Sequence, residues 1–255
     1  MKIAITGKGG VGKTSFASLM SYVLTEQGQK VYAIDADPNA TLAHALGLPP
    51  ELVDQITPIV EMADLIEERT GARPGQYGKM FKLNPRVDDI PERFSVEHRG
   101  IRLLQMGTVR GAGAGCVCPE NAVLKTLVTH LLLREQETVI LDMVAGLEHL
   151  GRGTAGAVDA MFAVVEPGAR SIQTAKAILK LAQGLGITNF WVVGNKVRSE
   201  RDEAYIREAL GELPMVGTLA YSDQAIEADM QSKALYDLAP DLVASIRQIA
   251  DAVFS

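Results

Sequence analysis

Cysteine is nearly absent: two in 255 residues, Cys116 and Cys118, with one residue between them. That spacing and number exclude a disulfide framework and point to a reducing cytoplasm. Basic residues are also in deficit. Lys and Arg number 25 against 31 Asp and Glu, giving a net charge of −6. Such a balance argues against nucleic acid or an acidic membrane surface as the main partner. No apolar run is long enough to span a bilayer, and no signal peptide is expected at the start. Linkers rich in Pro, Gly and Ser are missing, as are internal repeats. With 47% hydrophobic residues, the expectation is one large α/β domain over 1–255, with a mainly parallel sheet flanked by helices on both faces.

What is present is concentrated near the start. Lys2-Ile3-Ala4-Ile5-Thr6 reads as a short buried strand, and Phe16, Leu19, Met20, Val23 and Leu24 recur at helical spacing. Between them lies Gly7-Lys8-Gly9-Gly10-Val11-Gly12-Lys13-Thr14, which fits the phosphate-cradling loop of P-loop nucleotidases. Glycines let successive N–H groups approach phosphate oxygens, and the helix start adds partial positive charge. The expected ATP contacts are Gly9, Gly10, Val11, Gly12, Lys13, Thr14 and Ser15. Lys13 reaches the β- and γ-phosphates and the Thr14 hydroxyl serves Mg²⁺. The dinucleotide fingerprint also matches through Gly7, Gly9 and Gly12, but it explains neither Lys13 nor Thr14.

Two further strands end in carboxylates. Lys30 to Ile34 leads into Asp35-Ala36-Asp37-Pro38-Asn39, and Thr138 to Leu141 leads into Asp142-Met143-Val144-Ala145-Gly146. An apolar strand closing in Asp is the Walker B arrangement, so Asp142 is assigned to Mg²⁺, while Asp35 and Asp37 stand at a strand end beside the phosphate loop, where catalysis happens in open α/β sheets. Gly146 falls where a loop sensing the γ-phosphate is needed, and His149 and Arg152 continue that loop. The alternative for Asp35 or Asp37 is capping of a helix beginning near Thr41-Leu42. Farther on, Phe190-Trp191-Val192-Val193 runs into Gly194-Asn195-Lys196-Val197-Arg198. Arg198 offers no acceptor to guanine, so adenine, paired with the amide of Asn195, is favoured, with Lys196 beside it.

The two cysteines follow a glycine-rich run, Gly107 to Gly115, and precede Pro119-Glu120 and an amphipathic stripe of Leu124, Leu127, Val128, Leu131 and Leu132. Both thiols therefore stand at a helix start, where the dipole favours thiolate, the metal-binding form. A closed zinc site needs about four ligands. One chain offers two, so a homodimer meeting there would complete the set. Soft thiolates accept nickel, zinc and cluster iron alike, which leaves the metal open. No histidine lies within a few residues of the pair. Residues 49–100 are the least legible. A helix is expected over Ile59 to Glu68 and a short strand at Leu83 to Val87, in what reads as a docking surface or a decorated loop.

The second loop lysine, Lys8, resembles the signature of the deviant Walker A ATPases, which include the nitrogenase iron protein, septum-positioning and chromosome-partitioning ATPases, and metal-cofactor chaperones. Taken with Asp35-Ala36-Asp37-Pro38, Cys116-x-Cys118, the block from Asp142 to Thr154 and Asn195-Lys-Val-Arg, the whole chain resembles the CooC-type nickel-inserting ATPases. That resemblance implies ATP hydrolysis to ADP and phosphate. It implies that Lys8 crosses a dimer interface to the partner's nucleotide, that Asp37 orients or deprotonates the attacking water, and that Asp35 supports the Mg²⁺ shell. It also implies a nucleotide- and metal-dependent homodimer holding Ni²⁺ or Zn²⁺ on Cys116 and Cys118. The client would be carbon monoxide dehydrogenase or acetyl-CoA synthase. The alternatives are an iron–sulfur carrier or reductase, and a positioning or partitioning ATPase. The first shares the loop. The second should carry a basic terminal helix or a basic patch, and the closing helix has Arg247 as its only basic residue.

Overall fold

Alternation of buried apolar residues builds one sheet with a core on each side. The structure, a computed structural model, describes residues 1–37, 39–75, 80–107, 118–133, 137–144 and 158–254. Elements run in the order β1 (Lys2–Thr6), α1 (Lys13–Glu26), β2 (Val31–Ala36), α2 (Leu42–Ala45), α3 (Pro50–Val53), α4 (Ala63–Thr70), α5 (Ile90–Phe94), β3 (Val96–His98) and β4 (Ile101–Gln105). Then follow α6 (Pro119–Leu133), β5 (Thr138–Met143), β6 (Ala160–Val165), α7 (Ala169–Gly184), β7 (Phe190–Val197), α8 (Glu200–Leu210), β8 (Met215–Ala220), α9 (Asp223–Met230), α10 (Leu235–Leu238) and α11 (Pro240–Phe254).

Among the described residues the sheet has eight strands in the order β3-β4-β2-β5-β1-β6-β7-β8. All neighbours are parallel except β3 with β4. Strand β1 lies between β5 and β6, so the chain leaves it at the point where the strand order turns from one side to the other. Open α/β sheets bind ligands at that crevice, beyond the carboxyl ends of the strands.

Successive strand residues face opposite sides. Ile3, Ile5, Val31, Ala33, Ile140, Phe162 and Val164 meet α1 and α11, while Ala4, Tyr32, Ile34, Leu141, Met143 and Val165 meet α4, α6 and α7. On the first side the Phe162 ring lies 5.2 Å from Phe16 and 6.2 Å from Phe254, pinning α1 and α11 to β6. Gly217 in β8 is set close under α11; a Cβ there would stand 2.6 Å from Ile249 Cγ1.

The region before Gly100 differs from its expectation. Ile59–Glu61 is a 3₁₀ turn, and Met62 (φ −81°, ψ 74°) separates it from α4, so the single helix is two pieces. Leu83 to Val87 is not a strand. The added strand is instead β3, joined to β4 by Arg99 (φ 51°) and Gly100 (φ 80°). Two consecutive positive φ values make the tight hairpin turn whose twist suits adjacent strands. No helix among the described residues is long and apolar enough to cross a membrane.

Candidate active site

The loop after β1 is shaped by contacts that only glycine permits. Gly7 (φ 145°) passes against the Val164 carbonyl of β6, and Gly12 (φ 95°) passes against the Asn195 amide of β7, each too closely for a Cβ. Gly12 also leads into α1 without a side-chain cap, and the first turn of α1 carries no acid. Its orphan N–H groups and dipole are therefore free to meet an anion. Lys13 opens α1 and is only 6% exposed. Lys8 and Ser15 are half-buried, while Gly9 and Gly10 are exposed at the tip.

Register brings the carboxylates to this loop. Asp35 of β2 pairs with Asp142 of β5, and Asp142 with Ile5 of β1. Like Ala33 and Ile140 two residues earlier, both aspartates face the side covered by α1. There the Thr14 hydroxyl donates to Asp142 Oδ2 at 2.7 Å. Asp142 Oδ1 is buried with no hydrogen-bond partner. Burial pushes this carboxyl up to about 7, against the Thr14 hydrogen bond. Asp35 is pushed up to about 6, again by burial, although it accepts from Leu42 N at 3.0 Å and Asp37 N at 3.1 Å. Two desolvated carboxyls, one of them with an unspent oxygen (Asp142 Oδ1) beside a threonine hydroxyl, suit a hydrated divalent cation, whose charge would restore their ionised form. Thr14, Asp35 and Asp142 thus fit Mg²⁺. The cap on Leu42 comes from Asp35; Asp37 instead accepts from Asn39 N at 2.9 Å in a local turn and stays half-buried.

The far wall comes from β7 and β8. Asn195, 8% exposed, donates from Nδ2 to the Val11 carbonyl at 2.7 Å and accepts from Lys196 N at 2.9 Å. Its carboxamide thereby clamps the phosphate loop to β7. Lys196 Nζ donates to the Gly10 carbonyl at 2.5 Å. A cleft of about 410 Å³ continues from Gly12 and Ser15 past Asn195 to Tyr221 and Ile226. The Arg198 guanidinium covers the Tyr221 ring at 4.5 Å, walling the cleft with a flat cationic stack. Tyr221 and Glu166, which also borders this cleft, escaped the sequence reading. Glu166 is the more consequential: its oxygens meet Lys8 Nζ at 3.3 Å and Lys196 Nζ at 3.5 Å.

On the opposite face, Cys118 is half-buried and its carbonyl accepts from Ala122 N at 3.1 Å, so it caps α6, with Pro119 next. Leu124, Leu127, Val128 and Leu131 are buried against the core. Cys116, Gly146, His149 and Arg152 lie outside the described residues. Among the described residues no three His, Cys, Asp or Glu side chains gather as a metal cluster. Strand β5 links the two faces, since Asp142 looks toward α1 and Met143 toward α6. At its end, the Thr6 hydroxyl holds the Val144 carbonyl at 3.1 Å.

Residues 2–235 match the CobQ/CobB/MinD/ParA nucleotide binding domain family. The chain is similar to the carbon monoxide dehydrogenase accessory protein CooC of Rhodospirillum rubrum, 48% identical, with 94% of this chain and 91% of that protein covered. It is equally similar, at 48% identity over 92% and 91%, to an uncharacterized ATP-binding protein of Methanocaldococcus jannaschii. Among solved structures, the MinD cell division protein of Aquifex aeolicus superposes with a TM-score of 0.67 at 19% identity, covering 98% of this chain and 95% of that one.

Proposed function

The chain belongs to the CobQ/CobB/MinD/ParA nucleotide-binding family and is an ATPase, and from that premise we propose that it is a metallochaperone of the cytoplasm. Its client would be carbon monoxide dehydrogenase or a related nickel enzyme such as acetyl-CoA synthase. Two copies would hold one Ni²⁺ or Zn²⁺ on Cys116 and Cys118 of each, and ATP turnover would drive release of nickel to the client. The observation that carries this reading is the near full-length likeness to CooC. The position of Cys118 at a helix start supports it.

In this reading adenine occupies the cleft beside Asn195, and the polyphosphate lies over Gly9 to Ser15. Lys13 offsets charge on the β- and γ-phosphates. When bound, Mg²⁺ neutralises charge that develops on the phosphate oxygens. Thr14, Asp35 and Asp142 would hold it. Asp37 orients the attacking water or takes its proton. Lys8, reaching into a second copy, adds positive charge only when two chains meet, which ties hydrolysis to dimer formation. Strand β5 carries Asp142 on one face and packs toward α6, the helix that follows Cys118, on the other, which supports a coupling between nucleotide state and the thiolates.

The experiment is metal content per chain, with and without ATP, in the wild type and in a Cys116→Ser, Cys118→Ser variant. The reading expects nickel or zinc in the wild type and loss of it in the variant. Equal retention would sink the metal assignment. An iron–sulfur absorption band in anaerobically purified protein would replace it with a cluster carrier.

A further inference from the structure

Glu166 follows the last residue of β6 directly and is fixed there, its N–H donating to the Ser171 hydroxyl at 3.1 Å. A carboxylate at the mouth of an anion-binding loop repels a polyphosphate. It is tolerated here because its two oxygens are divided between two lysines. Oε1 meets Lys8 and Oε2 meets Lys196, which also holds the Gly10 carbonyl. Lys196 does this from a left-handed backbone (φ 58°), a conformation uncommon outside glycine. Lys8 stands on the loop tip and Glu166 lies 158 residues away, so the contact spans the crevice between β1 and β6. All three side chains remain partly exposed, so the pairs can exchange partners without burying a bare charge.

We propose that Glu166 is a positioning residue for Lys8: it holds the loop lysine in its own subunit until a phosphate of the second copy's nucleotide displaces the carboxylate. This rests on the reading of Lys8 as a group supplied across a dimer. One consequence is quantitative. Each dimer formed breaks two Lys8–Glu166 pairs, and an exposed pair contributes a factor of up to about 5. Losing both should tighten the dimer by up to about 25-fold.

The test is the dimer dissociation constant of the full chain by sedimentation, with Mg²⁺ and a non-hydrolysable ATP analogue. Wild type, Glu166→Gln, Lys196→Ala and the double variant are compared at low and high salt. The expected result is a tighter dimer for Glu166→Gln at low salt, with the gap narrowing at high salt as screening weakens the wild-type pair. The gain should persist in the Lys196→Ala background, because it acts through Lys8. A merely structural role for Glu166 would weaken the dimer instead. An unchanged or weaker dimer, or a gain that vanishes without Lys196, overturns the holding role while leaving Lys8 in trans intact. A wild type that stays monomeric with the analogue overturns the underlying reading as well.

Discussion

Replacing Asp142 by asparagine should make the protein, freed of nucleotide and Mg²⁺, more stable, and by an amount that grows with pH. The side chain is fully buried, and burial raises its carboxyl from 3.8 to about 7. The folded state therefore keeps a proton that the unfolded chain has already released. Wherever the folded state binds more protons, stability falls as pH rises. The loss begins near the unfolded value of about 4 and is complete above about 7. A shift of roughly 3 units at about 1.36 kcal/mol each sets a ceiling of about 4 kcal/mol. Water penetration and local relaxation reduce this, so between about pH 5 and pH 8 the expected widening is about 1–2 kcal/mol. Asparagine keeps an oxygen for the Thr14 hydroxyl and carries no charge at any pH. The assay is urea unfolding followed by far-ultraviolet circular dichroism in EDTA, at several pH values. His98, whose burial lowers its own pKa, adds a slope of opposite sign, but that slope is common to both proteins and cancels in the difference. A gap that stays constant from pH 5 to pH 8 would refute the claim that Asp142 is held protonated by burial.

Three other substitutions test separate parts of the site and fold. Asn195→Ala removes the donor to the Val11 carbonyl and should weaken ATP binding about tenfold by calorimetry, the order expected for a buried hydrogen bond; unchanged affinity would contradict the clamp. Lys8→Ala should abolish phosphate release while ATP binding stays measurable, and an undiminished ATPase would remove the argument for a lysine in trans. Gly217→Ala forces Ile249 aside and should lower stability by about 1–3 kcal/mol, read as a lower melting temperature with ATP binding retained; an unaltered melting temperature would show that α11 yields freely.

The phosphate loop was legible because its chemistry leaves little choice of letters. Backbone approach requires glycine at Gly7 and Gly12, and Lys13 and Thr14 have no other reason to follow. The face that each carboxylate takes was implicit in the same way. Period-two alternation places Asp35 with Ala33 and Asp142 with Ile140, on the α1 side, once the strands are seen to run to Ala36 and Met143. The pairing of Asn195 with Val11 was not legible, because it joins residues 184 apart and depends on where β7 lies relative to β1. Glu166 carries no local signal, since nothing in Glu166-Pro167-Gly168 announces two lysines arriving from elsewhere.

The segment from Pro49 to Gly100 resisted for a different reason. Its elements are short and held by tertiary contacts such as Arg69 to Asp89 at 2.8 Å rather than by strong periodicity. Expecting a strand at Leu83 to Val87 followed apolar spacing and ignored Pro85 within it. The hairpin that does form had a signal: a glycine after Arg99, between Val96-Glu97-His98 and the apolar strand from Ile101.

Half of a coordination set per chain is the central claim, and one sample tests it most directly. The ATP-loaded protein is run in an analytical ultracentrifuge, and the metal content of the resolved species is measured. The account predicts a species of two chains carrying one nickel or zinc ion between them. A single chain that carries a full ion by itself would contradict it.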